Sequence, residues 1–298
     1  MTAAGSAVRK KTDSMAETKE NSLVKDLIEA GIHFGQRSSG WNPRMARFIY
    51  GKRNAIHIID IKETIKGLLL AKKFIARTVA DGKDICFVGT KRQAREVLQQ
   101  RVGDVGMHWV TERWLGGTLT NFRTIRSRLK RLEELEAIQE KDDFASYSKK
   151  MESQLRREMK KIKRNLDGIR GMTKLPGALV IIDVKRETNA IMEAKKLGIP
   201  TVCLIDTDGD PEMADIPIPG NDDSMRSIDV VIRELCAAIT QGKTQRAQSS
   251  GKEGDDSSAG GQQPQRRSSR SQFRAADDAP AAEGAKTEEP AAAAETTN

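Results

Sequence analysis

The sequence predicts an α/β fold with a parallel sheet that helices cover on both faces. Two observations lead to this prediction: several short runs are apolar at nearly every position, and amphipathic helical segments separate most of them. A strand buried on both faces reads as a continuous apolar run, whereas a strand with one face in water alternates between apolar and polar residues. Such strands alternating with helices are typical of doubly wound domains.

The clearest strand is Ala178–Asp183, in which the first five residues are all apolar. The first long helix is predicted by apolar residues such as Ile65, Leu68 and Ile75, which recur at helical spacing. Prolines flank the last short strand, as expected at the edge of a sheet. In chain order the predicted strands are 55–60, 84–89, 107–110, 178–183, 201–205 and 216–218, and the predicted helices are 62–80, 91–101, 187–197 and 223–240.

Residues 121–170 interrupt this rhythm and predict an inserted helical hairpin. They carry 15 basic and 9 acidic residues and contain no strand pattern. Two narrow apolar stripes, one from Phe122 and one from Met151, recur at three- and four-residue steps. Stripes of this kind, joined by a polar loop at Lys141–Asp143, are typical of an antiparallel coiled-coil pair. Thr120 or Asn121 is the predicted N-cap and Gly171 the predicted stop.

The two ends of the chain are predicted to lie outside the folded body. Residues 241–298 contain a single large apolar residue, Phe273, and therefore cannot bury enough surface to offset the entropy of ordering. We therefore expect a flexible N-terminal extension at 1–21 and a disordered tail at 241–298. The α/β sheet domain then comprises residues 22–120 and 171–240, and the hairpin comprises 121–170.

Charge favours a polyanionic partner. The chain has 51 Lys and Arg against 42 Asp and Glu, for a net charge of +9. Residues 1–240 hold 43 of the basic and 33 of the acidic residues, so the excess belongs to the body and not to the tail. A basic surface attracts polyanions through counterion release and electrostatic steering. A generic basic protein has the same balance, so charge alone does not decide the function.

Cysteine usage and hydropathy predict a cytoplasmic protein without a membrane partner. Cys86, Cys203 and Cys236 lie singly in apolar runs, as buried thiols do in a reducing compartment. The apolar runs fall far short of the roughly 18 residues that span a bilayer, and residues 1–22 lack the apolar core of a secretory signal. His33, His57 and His108 have no metal-ligand spacing, so we expect no metal.

Enzyme motifs are absent from the sequence. Neither the dinucleotide fingerprint, the P-loop nor the G-x-S-x-G elbow occurs, and we expect no cofactor, no small-molecule substrate and no catalysis. The nearest rival is an α/β enzyme or nucleotide-binding protein that uses the turn at Gly89–Lys91 and the carboxylates of Asp206–Asp210. The latter segment resembles the start of a calcium loop, but its glycine comes too early and Pro217 stands where the loop needs glutamate. A solvated turn is the simpler interpretation.

Basic residues beside glycines and aromatics predict a nucleic-acid interface in three patches. Cations bind phosphates, aromatic rings stack on unpaired bases, and glycine allows a backbone to approach closely. The turn that precedes the predicted helix at 91–101 adds the positive end of a helix to its cations. The candidate residues are Arg37, Trp41, Arg44, Arg47, Lys52 and Arg53 in the N-terminal loop, then Lys91, Arg92 and Arg95, and finally Arg113, Thr118, Asn121 and Arg123 at the hairpin base. Trp41 and Trp114 are expected either to stack on bases or to pack in the core.

Eight landmarks, in order, resemble the bacterial small-subunit ribosomal protein two family over about Leu27–Ile239. They are Gly31–Gly35, Trp41–Pro43, Ala55–Asp60, Phe87–Lys91, Arg113–Phe122, Ile205–Pro211, Ile218–Asp223 and Arg226–Ile228. The resemblance implies a flavodoxin-like three-layer α/β/α domain with a protruding coiled-coil hairpin. It also implies a non-catalytic role in translation, binding of small-subunit ribosomal RNA where head meets body, contacts with other small-subunit proteins, and recruitment of small-subunit protein one. The polar N-terminal extension and long tail depart from the family pattern, and a scaffold that binds only proteins through its hairpin remains a further alternative.

Overall fold

The computed structural model describes residues 22–140 and 148–255, with side chains described as far as residue 248. The predicted extension at 1–21, the predicted turn at Lys141–Asp143 and residues 256–298 lie outside this part of the chain. The helices are α1 (22–30), α2 (Ile61–Ala80), α3 (Arg92–Asp104), α4 (Phe122–Glu140), α5 (Lys149–Leu166), α6 (Thr188–Leu197) and α7 (Met225–Asp255). The strands are β1 (Phe34–Arg37), β2 (Ile49–Arg53), β3 (Ile56–Ile59), β4 (Ile85–Val88), β5 (His108–Val110), β6 (Ala178–Ile182), β7 (Thr201–Ile205) and β8 (Ile216–Pro219).

Five parallel strands form the central sheet in the order β5-β4-β6-β7-β8. This is the flavodoxin-like order, in which the chain reverses its direction of winding between the first strand and the third. Helix α3 follows β4 and packs on one face with α2 and α7, whereas α6 follows β6 and packs on the other. The predicted three-layer α/β/α architecture is therefore confirmed.

The strand side chains alternate between two separate cores. In β6, Val180 and Ile182 join the core with α2, α3 and α7, while Leu179 and Ile181 join the core with α6 and the hairpin base. All five residues of β6 are buried. The continuous apolar runs in the sequence therefore reflect burial on both faces of the sheet.

The hairpin is inserted between β5 and β6, as predicted. Ile125, Leu129, Leu132 and Leu135 of α4 are buried, and Leu135 packs against Leu155 in a small cluster along the stem. The Asn121 carbonyl accepts the first helical hydrogen bonds, from Thr124 and Ile125, so the helix begins where the capping prediction placed it. Helix α5 ends at Leu166 and continues as a 3₁₀ turn, Asp167–Ile169, so the helix stops before Gly171.

A second, three-stranded sheet was not predicted. Residues 35–54, expected to be a loop, contain β1 and β2, which pair with β3 in the antiparallel order β1-β3-β2. The β2–β3 turn places Asn54 and Ala55 at φ of +49° and +63°. Asparagine is common at this type of turn, but glycine usually stands where Ala55 lies, so the usual two-residue hairpin signal is missing.

Helix α7 also differs from the prediction, because it continues to Asp255 and not to about Thr240. The described helix therefore extends past residue 240, where the predicted tail begins. Tertiary contacts support the added turns: Lys243 donates to the Val105 carbonyl, and Gly242 lies against Ala76 and Val79 of α2. Within 22–140 and 148–255, no helix is both long and apolar enough to cross a membrane.

The base of the hairpin is held against β5 by a close backbone contact that can be tested. A Cβ atom on Gly168 would lie 2.1 Å from the Trp109 carbonyl oxygen, whereas a Cβ on Gly116 would meet nothing within 4 Å. We expect Gly168→Ala to lower the free energy of unfolding by about 1–3 kcal/mol, because backbone atoms must move apart. Gly116→Ala is the matched control. Urea denaturation compares the variants, and equal midpoints for both would contradict the contact.

Candidate nucleic-acid interface

The carboxyl ends of the parallel strands meet at the switch point between β4 and β6, where folds of this order commonly bind ligands. Here a lysine and three carboxylates occupy that position. Lys91 Nζ lies 2.7 Å from Asp222 Oδ1, 3.8 Å from Asp183 Oδ2, and in direct contact with Asp223. Only 13% of the Lys91 side chain is exposed. Burial acts to lower the pKa of Lys91, but Asp222 and Asp223 outweigh it and raise the pKa above its ordinary value.

The edge of the small sheet fills the same crevice. The backbone N–H of Gln36 donates to Thr207 Oγ1 at 2.9 Å, and its side-chain amide donates to Asp206 and Asp223. The Asn42 N–H donates to the Thr207 carbonyl at 2.8 Å. A Cβ on Gly35 would lie 2.6 Å from Thr207, so the close approach requires glycine.

These contacts argue against the nucleotide-binding alternative. The turn at Gly89–Lys91 and the segment Asp206–Asp210 do lie near each other, as that alternative requires. However, the Gln36 amide and the Lys91 ammonium group already engage Asp206 and Asp223. Carboxylate oxygens of Asp206, Asp222 and Asp223 lie within 4.8 Å of one another, and Lys91 supplies the positive charge that such a cluster needs. The crevice is built as an internal joint between the two sheets.

A buried carboxylate organises the loop that leads into the hairpin. Glu193 of α6 accepts hydrogen bonds from the indole N–H of Trp114 and the backbone N–H groups of Gly117, Leu119 and Thr120, at 2.8–3.2 Å. Gly117 has φ of +90°, which lets its N–H turn inward. Burial acts to raise the pKa of Glu193, but these donors outweigh burial and lower it. Gly117 therefore helps to shape a cradle for Glu193, and Trp114 packs inside the protein.

The first predicted patch lies on the small sheet. Arg37 of β1 and Arg53 of β2 pair in register with Ile56 of β3, so all three side chains share one face. Lys52 and Arg47 are exposed, and the Arg47 guanidinium lies 4.6 Å from the centre of the Phe48 ring. The two remaining members are partly engaged. Arg44 forms ion pairs with Asp210 and Glu212, and the Trp41 ring packs 5.0 Å from that of His57.

The three residues of the second patch differ in how far their side chains are exposed. The Lys91 ammonium group is ion-paired with Asp222 and Asp223. Its predicted RNA contact is therefore corrected to a structural role. The neighbouring Arg92 is exposed, and its side chain forms no ion pair within the described residues. Arg95 pairs with Glu112 at 3.1 Å and also donates to the Thr90 carbonyl. Arg186, which the sequence interpretation missed, donates from Nε to Thr90 Oγ1 and lies beside the first turn of α3.

The third patch, at the hairpin base, keeps three of its four members. Arg113, Asn121 and Arg123 are exposed. Thr118 is only 2% exposed, and its hydroxyl donates to the Leu115 carbonyl, so it is removed from the candidate interface. The Asn121 side-chain oxygen accepts from the Thr124 hydroxyl at 2.8 Å and helps to begin α4.

A basic stripe on α5 was also missed. Arg157, Lys160 and Lys161 are exposed, and none forms an ion pair within the described part of the chain. Residues three and four apart lie on one side of a helix, about 4.5–6 Å apart along its axis. The excess of basic over acidic residues in 121–170 is the sequence signal for this stripe.

An apolar area lies beside the first patch. Phe34 is 50% exposed, Ile56 is 37% exposed, and Met225 at the start of α7 is 47% exposed. Phe34 and Met225 line one shallow hollow, together with Gly31 and Asn221. We call Phe34, Ile56 and Met225 the apolar face. Single exposed apolar side chains are ordinary, whereas grouped ones mark interaction surfaces.

Comparisons with known proteins agree with the resemblance in the sequence. Residues 27–242 match the family model described as ribosomal protein S2. The chain is 58% identical over 225 residues to a "Small ribosomal subunit protein uS2" of Rhodopirellula baltica, covering 76% of this chain and 86% of the relative. It is 42% identical over 232 residues to a protein of the same name from Syntrophobacter fumaroxidans, covering 78% and 85%. It is 45% identical over 230 residues to "Small ribosomal subunit protein uS2c" of Rhodomonas salina, covering 77% and 95%.

The Glu193 cradle generates a pH-dependent prediction. A carboxylate with a lowered pKa contributes stability above its unfolded pKa, near 4.5, and that stability is lost as pH falls through the folded pKa. We expect Glu193→Gln to lower the free energy of unfolding at pH 7 by about 1.5–3 kcal/mol, because charged hydrogen bonds are lost. The difference from wild type should shrink in acid. Urea unfolding from pH 3 to pH 8 measures it, with the exposed Glu96→Gln as control, and a pH-independent difference would rule out the charged cradle.

Proposed function

The chain belongs to the ribosomal protein S2 family, and from this premise we propose that it is a structural constituent of the small ribosomal subunit that binds the subunit's RNA. Proteins of this family are ribosomal components and not enzymes. We place the protein on cytoplasmic ribosomes, in contact with neighbouring small-subunit proteins. Following the family resemblance, we place its RNA site where the head of the subunit meets the body.

One observation carries the RNA-binding proposal. Among the exposed cations that form no ion pair within residues 22–140 and 148–255, ten lie on the small sheet and the turn beside it, at the first turn of α3, at the hairpin base and along α5. They are Arg37, Arg47, Lys52, Arg53, Arg92, Arg113, Arg123, Arg157, Lys160 and Lys161. Phosphate contacts from such side chains position a protein on RNA without reading its sequence. At α3 the N–H groups of the first turn add to the Arg92 charge.

Lys91 at the switch point is ion-paired inside the protein, whereas the cations named above are exposed. This difference favours a binding surface over a catalytic cleft. The switch point, which would hold a substrate in an enzyme of this fold, contains the Lys91 ion cluster and the Gln36 contacts. The free arginines lie instead on exposed strands, turns and helix faces. A polyanion larger than the protein can contact these separated positions together, whereas a small molecule cannot. Binding should therefore weaken steeply as salt concentration rises.

A specific observation also favours a second role, recruitment of small-subunit protein one. The apolar face is exposed, and Arg37 and Arg53 flank Ile56 on the same side of the small sheet. Phosphates do not use apolar side chains, whereas protein partners bury them inside a polar rim. We assign the apolar face to protein one and the free cations to RNA. This assignment separates the two roles on the surface, so each can be removed alone.

Charge reversal tests the RNA contacts. We expect Arg92→Glu and Arg113→Glu each to weaken binding to small subunits depleted of this protein on the order of tenfold, and to reduce the salt dependence. Thermal unfolding should not change, because neither side chain forms an ion pair within residues 22–140 and 148–255. The exposed Lys196→Glu on α6 is the control. Sedimentation at several salt concentrations measures binding, and unchanged incorporation would remove both arginines from the interface.

Substitution of the apolar face tests recruitment. We expect Phe34→Ser to reduce the amount of protein one that sediments with the subunit by about threefold or more, since buried apolar area drives such contacts. The variant itself should still join the subunit. Met192→Ser on α6, whose side chain is also 50% exposed, is the control. Normal recruitment by Phe34→Ser would place protein one elsewhere.

A further inference from the structure

We propose that a pocket at the base of the hairpin receives one unpaired nucleobase of the bound RNA. The pocket has a volume of about 300 Å³ and lies between the loop that precedes α4, the second turn of α4 and the C-terminal half of α5. Ligand pockets begin at about this size. The inference rests on the proposed RNA binding and adds to it a defined site for one base.

The floor of the pocket is apolar. Leu115 lies in the loop held by Glu193, while Ile162 and Leu166 come from successive turns of α5. Leu166 is buried in the core beneath, and the other two side chains are partly exposed. The faces of nucleobases are apolar and stack on such surfaces without regard to base identity. The floor therefore fits a ring better than it fits a phosphate.

One residue that lines the pocket has a buried polar atom without a hydrogen-bond partner. Asn165 lines the pocket, and its side-chain Oδ1 atom is buried without a hydrogen-bond partner. A buried polar atom without a partner costs free energy, which a ligand that supplies the missing hydrogen bond recovers. This oxygen needs a donor, and the edge of every RNA base carries at least one N–H group that can supply it. An aliphatic protein side chain on the same floor would leave it unsatisfied.

The rim supplies charge for the flanking phosphates. Arg128 from α4 and Lys161 from α5 stand at the mouth, and neither forms an ion pair within residues 22–140 and 148–255. Glu158 also lies on the rim, where it approaches Arg131 at 4.0 Å. Arg123, in the third patch, lies on the same helix as Arg128. Lys161 is one of the cations assigned to RNA above, so the pocket lies beside that surface.

Protection of a thiol placed in the floor tests whether RNA fills the pocket. The three native cysteines are buried, so Leu115→Cys introduces an accessible thiol. We expect the full-length variant to react with N-ethylmaleimide when free, and at least about tenfold more slowly within the small subunit. Ribonuclease digestion should restore labelling. Met192→Cys is the control and should react in both states.

Each outcome has a separate meaning. Equal labelling of Leu115→Cys in the free chain and the subunit would overturn the proposal, because the pocket would then be empty. Protection that survives ribonuclease would overturn it in favour of a protein side chain as the occupant. Failure of wild-type protein to sediment with the subunit would reject the proposed function itself, together with the pocket.

The salt dependence of binding distinguishes the contact with the base from the contacts with the phosphates. We expect Asn165→Leu to weaken binding to depleted subunits about tenfold, as expected for loss of one base contact, with an unchanged dependence on salt concentration. Lys161→Ala should instead reduce the slope of log affinity against log salt by about one. Asn189→Leu, at an exposed position of α6, is the matched control. An Asn165→Leu variant that binds as tightly as wild type would remove the amide, and with it the base, from the pocket.

Discussion

The hydrogen bonds to the Glu193 carboxylate determine how the hairpin joins the α/β domain. One side chain of α6 accepts from Trp114, Gly117, Leu119 and Thr120, so the chain leaving β5 folds around it before α4 begins. The base of α4 and the exposed arginines beside it take their positions from this cradle. An uncompensated buried carboxylate would be costly, and the loop supplies the compensation. The segment Arg113–Phe122, which the sequence predicts to bind RNA, therefore also fixes how the hairpin joins the sheet domain.

Charge also explains why the switch point of this enzyme-like fold is occupied by the protein's own side chains. The switch point of the sheet contains Asp183, Asp222 and Asp223, which would repel one another if left alone. Lys91 offsets part of their negative charge, and Gln36 brings the small sheet against their edge. The position that binds substrates in related folds becomes the contact between the two sheets. Binding is left to the outer surface, where a large polyanion can reach it.

Much of the architecture can be predicted from patterns among residues that are close together in the sequence. Burial on both faces gives continuous apolar runs such as Ala178–Ile182, and the coiled coil gives a stripe such as Ile125, Leu129 and Leu132, so these elements were predictable. The small sheet was missed because Ala55 replaces the glycine that usually marks such a turn. The end of α7 was missed because Lys243 and Gly242 gain contacts from residues distant in sequence.

The sequence by itself determined the order of the strands and helices of the central sheet domain, the inserted hairpin, the positive charge of the body and the family resemblance. It did not determine which cations are free. Lys91 and Arg92 are adjacent and equally basic, yet one is held by Asp222, 131 residues away in the chain, and the other faces solvent. Thr118 and Arg113 differ in the same way. Tertiary structure decides which cations are exposed, because a charge remains available to RNA only where folding brings it no internal partner.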